Sequence, residues 1–543
     1  MKIIVLGVFM SMVLLSQAQE VNIIPKPVKT SWKSGKFVIN KNTVLVAGSE
    51  DENKSADFLN TYLQHFYGFE LRISKKPSSN YIRVTVKKNP SSGKEGYYTI
   101  SVSASSVNIS GYGPAGAFYG IQTLIQLLPV EKSAELSIPA VAIEDFPRFQ
   151  YRGLMLDCGR HFFPVDFVKR YIDFIALHKM NYFHWHLTED QGWRIEIKKY
   201  PRLTEIGSCR NGTIIGHHPG TGNDDEKNCG YYTQEQIKDI VKYAADRYIT
   251  IIPEIEMPGH SSAAIAAYPQ LSCFPDENTK IARGVQWNGD STGKQVQQSW
   301  GVYQDVYCPS EYTFSFLEDV LDEVMQLFPS KFIHIGGDEC PKDNWKRSDF
   351  CQNLIKEKNL KNEEGLQSYF IQRIEKYLNS KGREIIGWDE ILEGGIAPNA
   401  TIMSWRGEKG GIEAANQHHR VMMTPGTYCY FDHAQSKSED SLTIGGYLPL
   451  ETVYNYNPFP GELSVENQKY ILGAQANVWT EYMANPGKVE YMIFPRLSAI
   501  SEVLWSRAED KNFDDFLQRM QKQYQRYDLW QVHYNPKGIH KGE

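Results

Sequence analysis

The sequence predicts an α/β protein: a closed (β/α)8 TIM barrel preceded by a small α+β domain. Three observations lead there. Beyond about residue 150, eight short apolar runs alternate with helical patterns, which is the signature of parallel βα units closing on themselves. Before residue 145 the pattern is different, with several strand-like runs and only two helical ones. Each of the eight later runs is also followed within a few residues by charged or aromatic side chains, as happens where barrel strands deliver residues to one rim.

Residues 1–18 read as a secretory signal: Lys2, an apolar run over 3–15, then Ser16-Gln17-Ala18, with cleavage before Gln19. The run is too short to span a bilayer, and no later stretch approaches about 20 apolar residues. No Cys follows the cleavage site, so no lipid anchor is expected there. An exported protein, periplasmic or secreted and without membrane insertion, is the expectation.

Residues 19–145 form the first domain. Strands are expected at 37–47, 81–86, 97–102 and 107–111, with helices over 53–66 and over 113–128, the second entered through Gly113-Pro114. The stretch 138–147 contains Pro139 and Pro147 and reads as the connection between domains.

Residues 146–543 form the barrel and a C-terminal helix. Its strands are expected at 153–156, 182–186, 249–255, 332–335, 384–387, 401–404, 421–424 and 471–478. Helical patterns at 167–178, 234–247, 314–328, 366–379 and 410–419 fall between them. The barrel region exceeds the usual ~250 residues, so some βα loops are enlarged, chiefly 203–232 and 273–310. No internal repeat or low-complexity tract is present.

Composition narrows the function. With 58 Lys+Arg against 64 Asp+Glu the formal net charge is −6, and no long single-sign run occurs. That argues against nucleic-acid binding through a basic face and against a disordered chain. The eight cysteines (158, 209, 229, 273, 308, 340, 351 and 429) form no paired CxxC metal spacing. Export permits disulfides; Cys209 with Cys229, and Cys273 with Cys308, each bracket a polar loop that a bridge would brace, while Cys158 and Cys340 adjoin apolar strands and read as buried thiols. Oligomeric state is not written in the sequence.

The rim residues, in strand order, are Arg160; Glu189 and Asp190; Glu256 and His260; Asp338 and Glu339; Trp388; Trp405; Tyr430 and Asp432; Trp479 and Glu481. The sharpest motif is His334-Ile335-Gly336-Gly337-Asp338-Glu339, in which glycines end a buried strand and let the backbone turn two adjacent carboxylates out at the rim. Carboxylates beside tryptophans suggest glycoside hydrolysis. Adjacent residues poorly supply an acid and a nucleophile on opposite sides of one bond, which retaining enzymes hold about 5–5.5 Å apart across the sugar. They suit a different division: one carboxyl protonates the leaving oxygen, and the other steadies a nucleophile that belongs to a 2-acetamido sugar.

These stretches carry a family resemblance. RGLMLDCGRHF (152–162), HWHLTEDQGWRIEI (184–197), PEIEMPGH (253–260), HIGGDE (334–339), GWDE (387–390), SWRG (404–407), YFD (430–432) and ANVWTEY (476–482) resemble, in order and spacing, the β-N-acetylhexosaminidases of glycoside hydrolase family 20. The resemblance implies removal of terminal non-reducing β-linked N-acetylglucosamine or N-acetylgalactosamine from an oligosaccharide or glycoconjugate, with retention and with no cofactor or metal. It implies that Glu339 is the general acid and then base, with a pKa raised by burial and by Asp338, and that Asp338 steadies the acetamido group. Tyr430 would bind the acetamido carbonyl; Trp388, Trp405 and Trp479 would wall the pocket; Arg160, Asp432 and Glu481 would bind ring hydroxyls. His260 would link Glu339 to an acid after the second strand. The family usually has Asp-Asp where this chain has Glu189-Asp190; Glu189 occupies the linking position but is one methylene longer, so either acid could make the contact, with Glu189 favoured.

Three rival readings remain at this stage. His184 and His186, two apart on a strand, share a face and form a candidate metal pair for a barrel hydrolase. A covalent retaining glycosidase acting on sugars without an acetamido group is the second. A non-catalytic carbohydrate-binding protein on the same barrel is the third.

Overall fold

The computed structural model describes residues 22–88, 95–131, 136–439 and 441–537; the signal sequence expected at 1–18 lies outside them. Eight parallel strands close into a barrel: Tyr151–Asp157, Tyr182–His186, Thr250–Met257, Phe332–Gly336, Glu384–Trp388, Thr401–Ser404, Val421–Met423 and Ile471–Ala476. The last pairs with the first, Ala476 opposite Leu154. Helices Val165–Leu177, Gln234–Ala245, Glu311–Leu327, Glu363–Ser380 and Lys409–Asn416 lie where the apolar periodicity placed them, each turning a buried stripe toward the strands.

The first domain is a seven-stranded sheet in the order Lys29–Ile39, Leu136–Asp145, Tyr98–Val102, Ser106–Tyr112, Tyr81–Lys87, Val44–Val46, Arg72–Ser74, with helices Glu50–Tyr67 and Pro114–Leu127 packed on it. Two sequence expectations change here. The single strand at 37–47 is two, broken where the Asn40 side chain accepts from the Asn42 amide and the Asn40 carbonyl accepts from Thr43. The supposed connection at 138–147 is mostly the strand Leu136–Asp145. Pro139 faces Lys36, the first pair after the neighbouring strand slips register, and lies beyond the stretch that pairs with Tyr98–Val102 on the other side.

Asp145 ties the two domains together. Its carboxylate lies 3.0 Å from Lys179 Nζ, with both side chains fully buried, and accepts from Trp505 Nε1 at 3.0 Å and from the Tyr98 hydroxyl. The C-terminal helix Phe513–Leu529 returns to the first domain: Arg526 donates to the carbonyls of Asn22 and Gln126, and Trp530 to the Tyr62 hydroxyl. Among the described residues Cys209 and Cys229 form a disulfide, whereas Cys273 and Cys308 are free thiols, so the second expected bridge is not made. Cys158 and Cys340 are buried thiols. No helix among the described residues is long and apolar enough to cross a membrane.

Candidate active site

All eight strands end at one rim, above which lies a cavity of about 230 Å³ lined by Arg160, Asp338, Glu339, Trp388, Trp405, Tyr430, Asp432, Trp479 and Glu481, with His433 and Ile444 completing the wall. Nine residues expected from the sequence thus share one cavity. His260, Glu189 and Asp190 stand behind it.

The turn after the fourth strand sets the carboxylate pair. Gly336 has φ +66° and Gly337 φ +93°, a region that side chains disfavour. A Cβ on Gly336 would sit 1.7 Å from a carboxylate oxygen of Glu256, so that buried side chain would have to shift. The chain then places Asp338 in the wall, nearly buried, and presents the Glu339 side chain, 40% exposed, to the cavity.

His260 leaves the third strand at φ +48° and is surrounded by four carboxylates. Its Nδ1 is 2.8 Å from Glu189 Oε1 and 3.2 Å from Asp190 Oδ2. Its Nε2 is 3.4 Å from Asp338 Oδ2 and 3.5 Å from Glu339 Oε2. Both acids after the second strand therefore touch the imidazole, Glu189 more closely, while Asp190 is also held by Ser262. Burial opposes a charge on His260, but Glu189 and Asp338 outweigh it and raise its pKa well above the usual value. Glu339 departs from expectation. The hydrogen bond to His260, ahead of burial, holds its carboxyl below the ordinary value, so the free site keeps the proton on the imidazole.

The walls follow from the strand ends. Trp388 is held by Glu254, whose Oε1 accepts from the indole at 2.9 Å, and packs 5.7 Å from Trp479. Trp405 donates its indole N–H to Glu390 at 2.9 Å and stacks on Tyr430, 6.1 Å between centroids. Arg160 lies over Trp479, 3.2 Å from Glu189 Oε2 and 3.9 Å from Glu481 Oε1. Burial, more than the neighbouring Glu481, drives the Asp432 pKa well up. Asp338 Oδ1, Asp432 Oδ1 and Glu481 Oε2 are buried acceptors without a hydrogen-bond partner among the described residues. Three acceptors awaiting donors, in a cavity smaller than the roughly 300–1,000 Å³ of pockets for drug-sized ligands, fit one sugar ring with its hydroxyls and an amide N–H.

His184 and His186 do share a face, but both turn into the barrel, 3.0 and 2.5 Å from Glu254 Oε2, and neither lines the cavity. Burial pushes His184 down to about 4; for His186, burial is outweighed by Glu254 and Glu189, which raise it to about 10. Sequence reasoning gave no role to Glu254 or Glu390. Glu254 could have been found from its spacing two before Glu256 on one strand, which puts both on the inner face. Glu390 closes the GWDE stretch (387–390) but was given no role there, and it meets Trp405 through the fold; burial, then the charge of Asp338, push its carboxyl up to about 8.

A parallel barrel carrying a carboxylate pair at the rim, in a small aromatic-walled cavity, defines a glycoside hydrolase. Comparison with known proteins gives the family. The sequence model of "Glycosyl hydrolase family 20, catalytic domain" matches residues 149–508, and that of "Glycosyl hydrolase family 20, domain 2" matches residues 20–146. The chain belongs to glycosyl hydrolase family 20. It is 47% identical over 526 residues to a β-hexosaminidase of Porphyromonas gingivalis, covering 95% of this chain and 64% of that relative's length. It superposes with TM-score 0.82 and 32% identity on an exo-β-N-acetylglucosaminidase of Vibrio harveyi, solved with N-acetylglucosamine, covering 95% and 78% of the two chains. A β-N-acetylhexosaminidase of Bacteroides fragilis matches with TM-score 0.78 and 30% identity over 95% and 97%.

Proposed function

We propose that this chain is an exo-acting β-N-acetylhexosaminidase that removes single terminal N-acetylglucosamine or N-acetylgalactosamine residues from exported or extracellular glycans by substrate-assisted retaining catalysis. The observation that carries the reading is the adjacency of Asp338 and Glu339 in one tryptophan-walled cavity backed by His260. An ordinary pair of flanking carboxylates would lie on opposite sides of the sugar.

In the first step the acetamido carbonyl oxygen of the bound sugar attacks its own anomeric carbon, the glycosidic bond breaks, and Glu339 gives its proton to the departing oxygen. Asp338 accepts the acetamido N–H and balances the positive oxazolinium ring, and the Tyr430 hydroxyl donates to the acetamido oxygen. In the second step water adds to the anomeric carbon, Glu339 takes its proton, and the ring reopens to the acetamide with overall retention. Glu339 is partly solvated in the free site; a sugar covering it removes that water and raises its pKa toward the value an acid requires. Trp388, Trp405 and Trp479 keep water from the intermediate until the leaving group has gone. Arg160 fixes the ring by charged hydrogen bonds to its hydroxyls, and Asp432 and Glu481 hydrogen-bond further hydroxyls.

Turnover of a chromogenic N-acetylglucosaminide beside the matching glucoside tests this. Cleavage of the first and near silence on the second is expected. Equal turnover would favour a covalent glycosidase, and an inverted product would reject the mechanism.

A further inference from the structure

Outside the sugar site, a cluster of three thiols among the described residues has no part in the mechanism. Cys273, Cys308 and Cys351 bring their sulfurs within 4.8 Å of one another, Cys273 and Cys351 at 3.5 Å. They come from three separate stretches. Cys273 and Cys308 stand at the two ends of the long βα loop after the third barrel strand, where Ser272 pairs with Tyr307 and the Cys308 amide donates to the Leu271 carbonyl. Cys351 is on the helix Asp349–Lys358, capped by Ser348, in the following βα unit. Loop and helices are already docked there: Trp345 Nε1 donates to the Tyr307 carbonyl and Asn344 to that of Gln304.

We propose that Cys273, Cys308 and Cys351 form a structural site for a soft d10 cation of the zinc class, clamping the loop that backs the sugar pocket onto the neighbouring helix. Sulfurs about 2.3 Å from a tetrahedral zinc ion lie about 3.8 Å apart, which falls inside the spread of this trio. Thiolates select soft ions over magnesium or calcium. A disulfide would use two of the three and leave the third with no partner of its kind; all three converge, and the apolar surroundings of Val306, Trp345, Ile355 and Leu366 hold them there. Cys273 is the partly exposed member, so a solvent molecule could complete the four-coordinate shell from its side. On binding, each thiol releases its proton to solvent and supplies a lone pair; no redox change is involved.

The site lies on the scaffold, so the test reads metal rather than catalysis. The full chain, reduced and freed of metal with a chelator, is titrated with cobalt(II) chloride and, separately, with zinc chloride. One cobalt per chain with thiolate-to-metal charge-transfer absorption is expected, displaced by zinc, together with a higher melting temperature in zinc than in chelator. Cys351→Ser should weaken cobalt binding by more than the roughly 10–100-fold that loss of an outer-shell partner costs. Should that variant fail to fold, the wild-type spectrum decides alone. Absence of the charge-transfer band, or a disulfide among these three cysteines in a non-reducing peptide map of the exported protein, overturns the proposal.

Discussion

The Nε2 atom of His260 lies 3.5 Å from Oε2 of Glu339, so the proton a general acid needs is shared with an imidazole that holds it more firmly. The pH dependence follows. His260 has a raised pKa, so the proton is present at neutral pH and is lost only as pH rises through that raised value. In His260→Asn the bond that lowers Glu339 is gone, and the proton must be held by a carboxyl, which still titrates below the raised imidazole. The basic limb of kcat/KM should therefore move to lower pH, and a pH–rate profile with an unmoved basic limb would refute the link.

Glu339→Gln removes the proton donor while keeping its shape. A loss of about 10²–10⁴-fold in kcat is expected with an alkyl or sugar leaving group. The loss should be much smaller with a dinitrophenolate, which departs unaided. Equal losses on both substrates would contradict the assignment.

Asp338→Asn retains the volume but not the charge opposite the intermediate. A hydrogen bond to a charged group contributes about 1.5–3 kcal/mol, so a thiazoline mimic of the intermediate should bind about 10–150-fold more weakly, with N-acetylglucosamine affected far less. Parallel losses for both ligands, measured calorimetrically, would show that Asp338 merely binds the sugar.

Gly336→Ala brings a methyl group into the Glu256 carboxylate and forces a side chain into left-handed backbone. Strain and overpacking together should destabilise the protein by about 2–5 kcal/mol and displace the carboxylate pair. Wild-type melting and activity in this variant would mean that the turn is softer than its geometry.

Lys179→Met leaves Asp145 charged, buried and unpaired at the domain seam. Destabilisation of about 3–5 kcal/mol is expected from denaturant unfolding, with much of it recovered when Asp145→Asn is added. Failure of the second change to recover stability would place the effect in packing instead.

The barrel was legible because each strand is a short apolar run and each helix carries its own period, and both signals are local. The rim was legible for the same reason: Asp338, Glu339 and the three tryptophans follow their strands directly. What escaped was either polar or remote. The exposed, lysine-rich start of the strand Lys29–Ile39 has no apolar alternation to read, and Pro139 disguised a strand whose neighbour slips register beside it. Cys273 and Cys308 do meet in space, but as free thiols joined by Cys351 from the next βα unit, which no spacing between the two could show. The direction of the Glu339 pKa depended on which of two opposing influences dominates, burial or the imidazole, and that balance is a matter of ångströms.

Glu254 sits at the centre of the barrel with Trp388 and His334 on one oxygen, the latter at 2.7 Å, and His184 and His186 beside the other. Barrel interiors are usually filled with branched aliphatics; here Ile252, Ile386, Met403 and Met422 share the interior with this polar cluster. A leucine at 334 alone would leave Oε1 to Trp388, and one at 184 alone would leave Oε2 to His186. One buried carboxylate on the third strand thus fastens the second, fourth and fifth strands to a common point.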